Sequence, residues 1–91
     1  MVSIRETEQR FYIGESPDDP TAQIEFEIDQ GILTIFSTDV LASLQGQGIG
    51  QQLVAYAVEY ARKNQLKILP VCPYAIKQFE KHPEYGDVRV N

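Results

Sequence analysis

The chain has one cysteine, one histidine, and eight basic residues against thirteen acidic ones. Each scarcity removes a class of protein. Cys72 has no second cysteine to pair with, which excludes an intramolecular disulfide and a disulfide-stapled secreted scaffold. A zinc site of cysteine pairs cannot be drawn, and His82 stands alone, so a histidine metal cluster is excluded too. No apolar run approaches the roughly 18 residues of a membrane span, and no membrane partner is expected. The stretch from Met1 to Phe11 lacks a basic segment followed by an apolar one, so no signal peptide is expected and the protein reads as soluble and cytoplasmic. The net charge of −5 argues against nucleic acid as a partner, because binding a phosphate backbone needs a basic surface. One phosphorylated ligand held by backbone N–H groups is still compatible with that charge.

What is present is enough for one core. Ninety-one residues fit a single domain spanning 1–91. Phe11 and Ile13 alternate with Tyr12 in a short strand ending at Gly14, after a first extended piece. Residues 22–29 alternate strictly, with Ala22, Ile24, Phe26 and Ile28 on one face and Gln23, Glu25, Glu27 and Asp29 on the other. Asp29-Gln30-Gly31 reads as a hairpin turn into a partner strand over 32–40. That second strand is nearly continuous in apolar residues, as a central strand covered on both faces would be. Ile49, Leu53, Val54, Ala57, Val58 and Ala61 then fall on one helical stripe, with Asn64 as a candidate C-cap. Lys67 to Val71 reads as a short strand, and a second helix is expected from Pro73 until Pro83 stops it. Val88 and Val90 suggest a last short strand. The expected fold is α+β, a mixed, mainly antiparallel sheet with flanking helices in the order β-β-β-β-α-β-α. An exposed sheet edge in so small a domain favours a homodimer or another partner.

The informative segment is Gln45-Gly46-Gln47-Gly48-Ile49-Gly50, at a strand-to-helix junction. Glycines there let backbone N–H groups approach a ligand at the positive end of the helix, a seat for a pyrophosphate. It is not a Walker loop, because no Gly-Lys-Ser/Thr string exists. It is not a dinucleotide fingerprint either, since the third glycine falls at 50 rather than 51 and the preceding strands are a meander.

Gln45, Gly48 and Gly50 match a Gln/Arg-x-x-Gly-x-Gly/Ala signature set between a central strand and a long helix. On those residues the chain resembles the GNAT family of N-acetyltransferases. Tyr60-Ala61-Arg62, Cys72-Pro73-Tyr74 and His82-Pro83-Glu84-Tyr85 are similar to its minimal short branch. The resemblance covers about Ile24 to Tyr85. It implies acetyl-CoA as cofactor and direct transfer of the acetyl group to an amine. It implies that the backbone around Thr38, Asp39 and Val40 pairs with the pantetheine, and that N–H groups from Gln45 through Gly46, Gln47, Gly48, Ile49 and Gly50 to Gln51 take the pyrophosphate. The last helix, with Phe79, would flank the pantetheine and the thiol.

Two residues are candidates for chemistry. Cys72 precedes a helix start, which lowers a thiol's pKa. It either lines the thioester site or carries an acetyl group, or it is simply a buried small hydrophobe. Tyr74 lies on the helix's first turn, where the family resemblance implies an acid for the departing thiolate, with core packing as the other reading. His82, before Pro83, reads as a helix C-terminus, and Tyr56 and Tyr60 read as packing residues. Glu25 and Glu27 read as a solvated strand face, with a base near the amine as the other reading. The acceptor-binding strand and helices of longer family members have no counterpart before Phe11. Either the acceptor is large and brings its own contacts, such as a protein lysine or N-terminus, or a second subunit completes the site; the acidic charge mildly favours a cationic acceptor such as a lysine side chain or a polyamine. A non-catalytic acyl-CoA binding or sensing module is the alternative reading.

Overall fold

The computed structural model describes residues 3–16 and 18–90. The alternating segment forms a strand, β3 (Ala22–Asp29), and hairpins into β4 (Ile32–Val40); the label follows two shorter strands, β1 (Arg5–Glu6) and β2 (Arg10–Ile13). Gln30 and Gly31 both take positive φ, 51° and 80°, the turn whose twist matches a two-residue hairpin. A fifth strand, β5 (Lys67–Pro70), completes the sheet in the order β1-β2-β3-β4-β5. The first four strands are antiparallel, and β5 lies parallel to β4. A parallel neighbour requires a crossover, supplied here by α1 (Ile49–Asn64). The second helix is α2 (Pro73–Lys81).

A bulge in β4 decides which residues face the helices. Glu25 pairs with Ser37 and Phe26 with Ile35, so Phe36 has no partner on β3. The extra residue shifts the alternation by one. Leu33 and Ile35 point to the core, and beyond the bulge so do Thr38 and Val40, opposite Ile24 and Ala22. Without it, Ser37 and Asp39 would take those positions.

One apolar cluster holds the fold. The α1 stripe of Leu53, Val54, Ala57, Val58 and Ala61 packs with Ala75 and Phe79 of α2 on Ile24, Phe26, Leu33, Ile35 and Ile68. Phe11 is fully buried, its ring 4.3 Å from that of Phe26 and edge-on to Tyr56 and Tyr60 at 5.0 and 5.1 Å. Tyr56 also donates its hydroxyl hydrogen bond to Glu6, tying β1 to α1. Burial first, and then that carboxylate, push the Tyr56 pKa up to about 12.

The structure differs from the expectations in three places. Both helices pack on one face, so β4 is not covered on both; Phe36 is exposed on the other side, as are Leu69 and Val71. The α1 C-cap is Gln65 rather than Asn64. Gln65 is left-handed at φ 59°, and its N–H reaches the Ala61 and Arg62 carbonyls, while Asn64 stays helical and its amide bonds Tyr60 O. Val88 and Val90 do not extend into a strand. Arg89 makes a single bridge to Ile68, because the 3-10 turn Pro83–Asp87 uses the residues before it. Arg62 holds that turn, donating to Asp87 Oδ1 and Oδ2 at 2.9 Å each and to Glu84 O at 2.9 Å.

Two outcomes are expected. Phe11→Ala removes a fully buried ring with three aromatic neighbours and should cost about 3–5 kcal/mol in denaturant unfolding. The hydrogen bonds from Arg62 hold the Asp87 carboxyl below its ordinary 3.8. A carboxyl depressed in the fold contributes stability that is present above its unfolded pKa and lost as pH falls through the folded one. Melting curves of Asp87→Asn should therefore be lower than wild type at neutral pH and should converge with it in acid.

Candidate functional site

The β4–β5 ladder ends at the pair Ile35–Pro70. Beyond it the Val71 and Cys72 N–H groups both donate to Ile35 O, at 3.0 and 3.2 Å, and the chain turns into α2. β4 continues to Val40 with no strand on that side. The two strands have parted, and a cleft of about 480 Å³ opens there. Thr38 and Val40 form one wall, turn residues 44–46 and 48–51 form the second, and Tyr74, Gln78 and Lys81 of α2 form the third.

The turn is built by its glycines. Gly46 and Gly48 take φ of 86° and 77°, a backbone that costs other residues about 1–2 kcal/mol each. Gly48 is the N-cap of α1, and no side chain caps the helix. The first N–H groups of a helix have no intrahelical partner. Here they meet the cleft with the positive end of a 16-residue helix behind them. Gln45 anchors the turn, its amide donating to Val40 O at 3.2 Å. Gly50 serves a different purpose. A Cβ there would lie 2.6 Å from the Tyr74 hydroxyl, so only glycine lets the Tyr74 ring rest on the start of α1.

Cys72 and Thr38 face each other across the parting, with Sγ and Oγ1 3.3 Å apart. The Cys72 sulfur also accepts from Ala75 N at 3.3 Å, so it serves as the N-cap of α2. Tyr74 is 38% exposed; burial, and secondarily Cys72, raise its pKa above the ordinary value. Its hydroxyl keeps its proton at neutral pH.

Of the residues singled out in the sequence, Thr38, Val40, Gln45, Gly46, Gly48, Ile49, Gly50, Gln51 and Tyr74 come together on the cleft. Cys72 sits behind Thr38, and Gln47 is exposed outside the lining. The bulge turns Asp39 to the other face, where Gln23 Nε2 donates to its Oδ2 at 3.4 Å. Phe79 is buried among core residues and edge-on to Tyr85 at 5.5 Å. Leu44, Gln78 and Lys81 line the cleft without having been singled out. The signal for the last two was the helical spacing 74, 78, 81. His82 is the C-cap of α2, stacked on Tyr85 and 3.1 Å from Glu84.

A parted sheet with a glycine turn at an uncapped helix start characterises this α+β fold. The chain belongs to the family described as GCN5-related N-acetyl-transferase, whose sequence profile matches residues 10–88. It is similar to a solution structure of a GCN5-like N-acetyltransferase candidate from Staphylococcus aureus, with 36% identity and a TM-score of 0.82 over 99% of this chain and 89% of that one. An acetyltransferase candidate from Agrobacterium tumefaciens matches at 25% identity and TM-score 0.64, over 93% of this chain and 61% of its own. The ribosomal-protein-S18-alanine N-acetyltransferase of Escherichia coli shares the fold at 17% identity and TM-score 0.65, over 85% and 53%. This chain thus spans little more than half of those two longer proteins. No curated protein matches it in sequence.

The Gly50 contact yields an expected outcome. Gly50→Ala should shift the Tyr74 ring resonances in an NMR spectrum, because the added methyl takes the place of the hydroxyl. Stability should change by no more than about 1 kcal/mol, since alanine's helix propensity offsets the displaced ring. Unmoved ring resonances would mean that Tyr74 does not rest on Gly50 in solution.

Proposed function

We propose that this cleft binds acetyl-CoA and that the protein transfers the acetyl group to an amine. The observation that carries this reading is the glycine turn at an uncapped 16-residue helix, opening onto the unpaired end of β4. The donor set fits the ligand. Unpartnered N–H groups at a helix start suit a pyrophosphate, and an unpaired strand edge suits a chain of amides. Bound acetyl-CoA would supply an acetyl group activated as a thioester.

The protein's own groups would position and protonate. Thr38 and the capped sulfur of Cys72 stand at the inner end of the parting and hold each other at 3.3 Å. With its sulfur already bonded to Ala75 N, Cys72 fits a site-lining role better than a covalent one. Tyr74 carries a proton at neutral pH and is the donor for a leaving thiolate. The acceptor we favour is a cationic amine, a protein lysine, an N-terminus or a polyamine, which the charge of −5 would attract.

One observation favours the second reading, a non-catalytic acyl-CoA binding module. The described residues lining the cleft include no carboxylate and no histidine, and so no ready base for the amine. Titration with acetyl-CoA tests what the two readings share. Micromolar binding is expected, and Gly48→Val should abolish it, because valine cannot take φ of 77° without strain. Absence of wild-type binding at millimolar ligand would sink both readings. Thiol release with a panel of amines then separates them. Turnover that falls at least ten-fold in Tyr74→Phe, with acetyl-CoA affinity kept, supports the transferase.

A further inference from the structure

Gln78 is the one buried polar residue among those described, with 3% of its surface exposed. Its side chain makes none of the side-chain hydrogen bonds among the described residues, although its backbone carbonyl accepts from His82 N. Among the described residues Gln23 Oε1 is the one side-chain N or O atom without a partner that is sealed from solvent, so the Gln78 amide retains an opening. Gln78 lines the cleft, one turn of α2 beyond Tyr74 and one turn before Lys81. Lys81 is the only charged residue among the described lining residues.

The Gln78 carboxamide has no protein partner and stays open to the cleft, so it is free to bond a ligand in place of water. We infer that Gln78 is a ligand-binding residue, its amide completing its hydrogen bonds on the phosphorylated ligand. Lys81 supplies the one charge on the same wall. This rests on the acetyl-CoA reading above and adds two side chains of α2 to it. The cleft then grips its ligand from two sides. Backbone N–H groups hold it at the start of α1, and the side chains at 78 and 81 hold it from α2.

The assignment predicts that binding and stability move in opposite directions. Ligand-free Gln78→Leu should melt at least as high as wild type, while its acetyl-CoA dissociation constant rises about five- to ten-fold. Lys81→Gln should weaken binding by a similar factor at low salt. That loss should shrink at 0.5 M salt, as a screened charge requires, whereas the Gln78→Leu loss should not. Isothermal titration at two salt concentrations and thermal melting without ligand read all of this. If wild type binds and Gln78→Leu binds equally well, the inference is overturned while the acetyl-CoA reading stands. If ligand-free Gln78→Leu melts several degrees lower, Gln78 is structural and the inference is again overturned. If wild type itself does not bind, both fall together.

Discussion

The Ile35 carbonyl accepts two N–H groups, from Val71 and Cys72, and this shared bond ends the pairing of β4 with β5. The cleft depends on that ending. Had the ladder continued, β4 would have presented its upper edge to a strand rather than to open space. Pro70 contributes to the ending, since proline has no N–H for the ladder and sits where the pairing stops. The turn after it places Cys72 at the N-cap of α2, which fixes where that helix starts and so which of its residues face the glycine turn.

The bulge at Phe36 acts together with the parting. It brings Thr38 and Val40 onto the helical side just as β4 loses its neighbour. The same irregularity leaves Phe36 exposed on the opposite face, beside Leu69 and Val71. The cleft therefore has a packed and a bare side of sheet around it. On the packed side, the contact of Tyr74 with Gly50 joins the two helices at their N-terminal ends. Three glycines in one turn thus have two separate physical causes. Two adopt a left-handed backbone, and the third leaves room for a ring.

The far end of the molecule is held differently. Arg62 gathers Glu59, Asp87 and the Glu84 carbonyl, and so clamps the chain after α2 against the end of α1. The groups involved are exposed, and such pairs contribute little each in water. Their role is to orient the segment that returns Val88 to the core. Stability at this end depends on acidity through Asp87, whereas stability around Phe11 depends on apolar burial.

The period-2 alternation of residues 22–29, the helical stripe from Ile49 to Ala61 and the two prolines around α2 were enough to determine the element order. They are local signals, written in residue spacing. Gly46 and Gly48 likewise marked the turn, because a backbone that glycine alone takes without strain leaves a trace in sequence. Only the tertiary structure decided which side chains share the cleft. The bulge removed Asp39 and kept Thr38, and it is visible only in how β3 and β4 pair. The helical phase of α2 put Phe79 in the core and Gln78 on the cleft. That phase is set by packing of α2 on the sheet, where Phe79 shares the core with Leu33 and Ile35, residues distant in the chain. Spacing shows that a helix has two faces. Which face meets a ligand depends on where the rest of the molecule stands.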